Sequence, residues 1–134
     1  EILFREVDVV SPNALGGVLN SDTIAKLNCR IVAGAANNQL FAPEMGDELA
    51  ARGILYAPDY VINAGGIISV ESEVYQEKLD EAARLEKVLR IGETLTKIFE
   101  ASDKENRPTG IIANEMAEDI IHAANKAKLA AAAE

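Results

Sequence analysis

The chain has 134 residues, 49% hydrophobic but only 4% aromatic, which fits one domain with an aliphatic core. Its formal net charge of −9 excludes the basic face that a nucleic-acid partner needs. Its single cysteine, Cys29, excludes a disulfide framework and a cysteine zinc cluster, and no apolar run has the length of a membrane span or signal peptide. A soluble, cytoplasmic protein is expected, with no membrane or nucleic-acid partner.

In chain order, "VDVV" (Val7 to Val10) reads as a short strand closed by "SPN". "NSDTIAKLN" reads as a helix with Asn20 or Ser21 as N-cap, since either side chain accepts from the free N–H groups of the first turn. "RIVA" is the second strand, with Cys29 beside it as a small core residue. "PEMGDELAARG" is a second helix, with Pro43 at its first position, acids in its first turn and Gly53 past its end. "ILYA" is the third strand. The β-α-β-α-β order, with connections of crossover length, defines half of a doubly wound parallel α/β sheet over residues 1–63. Residues 64–134 read as C-terminal helices of the same single domain.

The first of these runs from "GGIISVESEVYQE". The second places Leu85, Val88, Leu89, Gly92, Leu95 and Phe99 on one face, with Glu86–Arg90 and Glu93–Lys97 as i,i+4 pairs. "SDKENRP" ends it. The last helix carries Ile112, Met116, Ala117, Ile120, Ile121 and Ala124 as one stripe, and the "KAKLAAAAE" tail buries nothing distinctive. Two open sheet edges lead us to expect pairing with a missing half of the sheet and a homo-oligomer. Glu1 in place of Met, inside an amphipathic segment, suggests a piece of something longer.

Ligands of an open parallel sheet bind beyond the carboxyl ends of its strands. There the chain has "SPNALGG" with Asn13, "GAANNQ" with Asn37 and Asn38, and "APDYVINAGG" with Asp59 and Asn63. Each strand end leads to a carboxamide among Gly and Ala. Small neighbours let a flat ligand approach the backbone, and Asn both donates and accepts hydrogen bonds. Such a site fits a ligand with its own amide, or an amino acid. One Asn in a loop is ordinarily a turn residue; three strand ends of this kind shift the balance toward a site.

Together, "SPNALGGVLN", "VAGAANNQL" and "GILYAPDYVINAGGIISV" resemble the C-terminal part of the nucleotide-binding domain of the leucine, phenylalanine and valine dehydrogenases, within the glutamate dehydrogenase superfamily. The resemblance runs from about Val7 to about Ala124. It implies NAD-linked, reversible oxidative deamination of an L-amino acid to a 2-oxo acid and ammonia, on a half Rossmann-like sheet. It places Ala14 and Leu15 beside the nicotinamide ribose, and Ala35, Ala36 and Asn37 against the nicotinamide. Asn37 would also face the substrate, and Asn63 would line the same cleft. Ile67 and Val70 match positions that shape the side-chain pocket of the leucine enzymes, although as residues alone they read as core. Asn13 stands where the family has Cys or another small residue, and Ile67 replaces a common Val.

Other parts of such an enzyme are missing from the sequence. No "GxGxxG" turn is present, and the lysines lie on polar helix faces or in the Pro108 loop rather than in a glycine-lined cleft. His122 has no second histidine with which to hold a metal, and Asp59 after Pro58 reads as a turn former. No catalytic residue is therefore assigned. The expected partners are an amino-acid substrate and the missing N-terminal part of the same enzyme. A stand-alone, non-catalytic α/β binding or assembly module is the alternative.

Overall fold

The computed structural model describes residues 2–74 and 80–131. Expectations for Tyr75–Glu77, Lys78 and the last three residues lie outside that range. A 3-10 turn (Ile2–Phe4) precedes β1 (Val9–Val10), α1 (Ser21–Ile24), β2 (Ile31–Val32), α2 (Met45–Ala51) and β3 (Leu55–Tyr56). The strands are parallel in the order β1-β2-β3, with Val9 opposite Ile31, and Ile31 opposite Leu55. The predicted α/β half sheet is therefore present, although each regular strand spans two residues rather than four.

Asn20 is the cap of α1. Its side chain accepts from the Thr23 N–H at 3.1 Å while Thr23 Oγ1 accepts from the Asn20 N–H at 3.0 Å, a reciprocal capping box. The second helix starts two residues later than Pro43 suggested. The N–H groups of Met45, Gly46 and Asp47 bond three residues back, so Pro43 sits in a tight lead-in turn. Leu19, Ile24, Leu27, Val32, Leu49, Ile54 and Tyr56 bury one aliphatic core against the sheet, and Cys29 packs at its edge. Burial raises the Cys29 thiol above its ordinary pKa.

After β3 come α3 (Asp59–Ile62), α4 (Gly65–Val74), α5 (Glu81–Glu105) and α6 (Thr109–Ala131). The four-residue α3 was not foreseen, because "PDYVI" is too short to show a period. Asp80 caps α5 by accepting from the Ala83 N–H at 2.8 Å. The helix runs through "SDKE" and stops at Asn106, whose left-handed φ of 53° lets the Asn106 and Arg107 N–H groups share the Ser102 carbonyl. Pro108 then blocks continuation.

The apolar stripes hold only in part. Ile98, which the α5 stripe omitted, is the helix's buried residue, packed with Ile112, Ala113, Val61 and Phe99. Leu85 and Leu89 are exposed. On α6, Ile112 is buried, but Ile120 and Ile121 are exposed. A sequence stripe marks which face is apolar, and only contact with a neighbouring element buries it.

Candidate functional site

The loops that leave β1 and β2 lie against each other. Ala36 N–H donates to the Pro12 carbonyl at 3.0 Å, Gly17 N–H to Asn38 at 2.7 Å, and Leu19 N–H to Gln39 at 2.9 Å. Two glycines permit this approach. A Cβ on Gly34 would fall 2.1 Å from the Pro12 oxygen, and one on Gly16 would fall 2.8 Å from the Asn37 oxygen. Asn13 is spent within the same junction: its Oδ1 accepts from the Ala35 N–H at 2.9 Å and its Nδ2 donates to the Ser11 carbonyl at 2.9 Å. Asn38 is the turn residue of the Asn-Asn pair, with φ of 52°.

The β2 loop and α3 then meet. Asp59, only 7% exposed, accepts from the Gln39 N–H through Oδ2 at 2.6 Å. One turn along α3, Asn63 Nδ2 donates to Asn37 Oδ1 at 2.5 Å. This bond fixes both amide orientations. Asn37 Nδ2 and Asn63 Oδ1 make no hydrogen bond among the described residues, so the pair offers one donor and one acceptor side by side.

That pair lines a cleft of about 590 Å³. Ala35, Asn37, Asn63 and Ile67 border it together, with Asp59 and Tyr60 added by the structure. Ile67 stands in the first turn of α4 and is 76% exposed, so it is not a core residue. Val70, three residues on, is exposed but does not border the cleft, nor do Ala14 and Leu15. Ala36 is buried, with its N–H taken by Pro12.

Among the described residues, Asp59 is the only charged one on the cleft wall. Lys87 is paired instead with Glu71, at 2.7 Å. Burial, and then the nearby Asp59 charge, raise the pKa of both the Tyr56 and Tyr60 phenols. Both hydroxyls stay protonated at neutral pH, and Tyr60 donates to Asn114 Oδ1 on α6 at 2.8 Å. The last helix is also held to the sheet by Thr109 Oγ1, which donates to the Tyr56 carbonyl at 2.7 Å. No group of His, Cys, Asp and Glu suited to a metal occurs among the described residues.

Tyr60 on the cleft wall and Gln39 within the β2 loop were not singled out in the sequence, and Asp59 was named at its strand end without its bond to that loop. An Asp opening a helix at a strand's carboxyl end was the available signal for that bond. Asp59 does open the single turn of α3 after Pro58, and its buried side chain additionally bonds the β2 loop.

A parallel α/β chain with a carboxamide-lined cleft beyond its strand ends has close relatives. The family model described as Glutamate/Leucine/Phenylalanine/Valine dehydrogenase matches residues 1–133. Leucine dehydrogenase of Geobacillus stearothermophilus is 42% identical over 123 residues, 92% of this chain and 33% of that protein. Phenylalanine dehydrogenase of Bacillus thermotolerans is 42% identical over 125 residues, 93% of this chain and 32% of that protein. The crystal structure of L-tryptophan dehydrogenase from Nostoc punctiforme matches with a TM-score of 0.87 at 45% identity, covering 94% of this chain and 37% of that one. The chain belongs to the glutamate/leucine/phenylalanine/valine dehydrogenase family. It spans about a third of the length of the curated relatives it matches.

Proposed function

We propose that this chain supplies one wall of the active cleft of an NAD-dependent amino-acid dehydrogenase, as the C-terminal part of its dinucleotide-binding domain. The reaction is reversible oxidative deamination of an L-amino acid, with branched-chain, leucine-like substrates preferred. The observation that carries the reading is the Asn37–Asn63 pair on the cleft wall of a family member, with one amide donor and one amide acceptor left unused by their mutual bond. One donor beside one acceptor complements a carboxamide such as that of nicotinamide, or the carboxylate and ammonium of an amino acid. NAD, when bound, would supply the hydride acceptor. The chain's own part is to bind and orient: Asn37 and Asn63 hold polar groups, and Ala35 leaves room for a flat ring. The rest of the enzyme, in a homo-oligomer, would supply the groups that move protons.

The wall also supports the substrate class. Ile67 is β-branched and stiff at χ1, so it presents a fixed apolar surface suited to a branched aliphatic side chain. Among the described residues, no Lys or Arg borders the cleft to receive an acidic side chain. Assays of NAD reduction by the complete enzyme should therefore show activity with leucine, valine and isoleucine, weaker activity with phenylalanine and almost none with glutamate. Ile67→Ala removes methylene-sized groups, each able to change discrimination by about 1–3 kcal/mol. The phenylalanine-to-leucine ratio of kcat/KM is expected to rise roughly tenfold. A ratio that does not rise removes Ile67 from the pocket, and glutamate turned over as well as leucine ends the branched-chain reading.

A further inference from the structure

Two hydrogen bonds join the same two segments. Asn63 and Gln39 each bond across, to Asn37 and Asp59 respectively, at points one turn apart on α3 and two residues apart on the β2 loop. One such bond would leave the segments free to swivel about it, and two remove that freedom.

The two are not equivalent. The Asn37–Asn63 bond joins neutral amides at the cleft surface, where solvent competes for both. The Asp59–Gln39 bond joins a carboxylate to a backbone N–H, with Asp59 at 7% and Gln39 at 0% exposure. A bond with a charged acceptor, shielded from water, is the stronger kind. Its receiving end is also rigid. The Gln39 carbonyl accepts from Leu19, and its side-chain Nε2 donates to the Gly34 and Ala36 carbonyls at 2.7 and 2.9 Å. Asp59 is in turn placed by the end of β3, and its own N–H donates to the Tyr56 hydroxyl at 3.3 Å. The buried bond therefore sets the spacing at which the exposed amides can meet.

We propose that Asp59 is a positioning residue of the cleft, holding α3 against the β2 loop so that Asn37 and Asn63 stay paired and their free donor and acceptor keep a fixed direction. This rests on the functional reading above for its kinetic consequence, but not for its structural one.

The test uses the complete enzyme. Asp59→Ala removes the acceptor, whereas Asp59→Asn keeps an oxygen in its place. Asp59→Ala is expected to lower kcat/KM for leucine about tenfold, the scale of a lost hydrogen bond to a charged group, and Asp59→Asn to recover most of it. In an Asn37→Ala background, Asp59→Ala should cost less than about twofold further, because the amide it positions is gone. An equal cost in both backgrounds overturns the proposal, as does an Asp59→Asn enzyme no better than Asp59→Ala. A crystal structure of the complete Asp59→Ala protein gives a readout that needs no activity. Loss of the Asn63–Asn37 contact with the three strands in place supports the proposal, and a retained contact overturns it. Where Asp59→Ala does not fold, Asp59→Ser takes its place, with the same supporting and overturning results. If the unaltered complete protein reduces no NAD with any amino acid, the functional reading fails, and the crystal comparison still decides the role of Asp59.

Discussion

Replacing Asn37 by Ala in the complete enzyme is expected to lower kcat/KM about ten- to a hundredfold, because a hydrogen bond to a charged group is worth roughly 1.5–3 kcal/mol. The Asn37 amide is held by Asn63 and is exposed on the cleft wall, so the substitution removes a positioned donor without opening the core. The melting temperature should therefore change little, and steady-state kinetics should carry the effect. The same substitution frees Asn63 Nδ2 to turn, so the KM values for both cofactor and amino acid should rise. Unchanged kinetics would make Asn37 an ordinary turn residue.

Gly34→Ala is expected to produce the largest loss of stability, roughly 3 kcal/mol, at the upper end of ordinary overpacking costs. The added Cβ would stand 2.1 Å from the Pro12 oxygen and 2.5 Å from its nitrogen, and those are backbone atoms rather than the end of a flexible side chain. Pro12 is poorly able to give way. Its ring fixes φ, and its carbonyl already accepts from Ala36 at 3.0 Å. A domain of this kind has about 5–15 kcal/mol in total, so the urea midpoint of unfolding should fall clearly. An unchanged midpoint would mean that the loops beyond β1 and β2 do not meet as closely as described.

The sheet was legible in the sequence because short aliphatic runs alternate with capped helical segments, and each cap or breaker has a local cause. Asn20 and Gly53 are examples. The helical half was less legible. The period of α5 identified an apolar face but not Ile98 as its buried member, since burial depends on where α3, α4 and α6 lie. The site divides along the same line. Asn37, Asn63 and Ile67 could be placed at a strand end or helix start from sequence, and the structure brings them to one cleft. Asn13 follows a strand just as they do, yet its amide is consumed inside the loop junction. Nothing in its spacing distinguishes the two outcomes. The roles of Asp59 and Gln39 escaped because they lie in a bond across twenty residues, between a side chain and a backbone N–H. A sequence pattern shows periodicity on one element and is silent about contacts between two.

The most direct measurement is a crystal structure of the complete enzyme with NAD and a branched-chain 2-oxo acid bound together. We predict both ligands in the cleft between the β2 loop and α4, with polar groups within hydrogen-bonding distance of Asn37 Nδ2 or Asn63 Oδ1 and the aliphatic side chain against Ile67. Ligands bound elsewhere, with the Ala35–Asn63–Ile67 wall untouched, would contradict the assignment of this cleft and the substrate preference drawn from it.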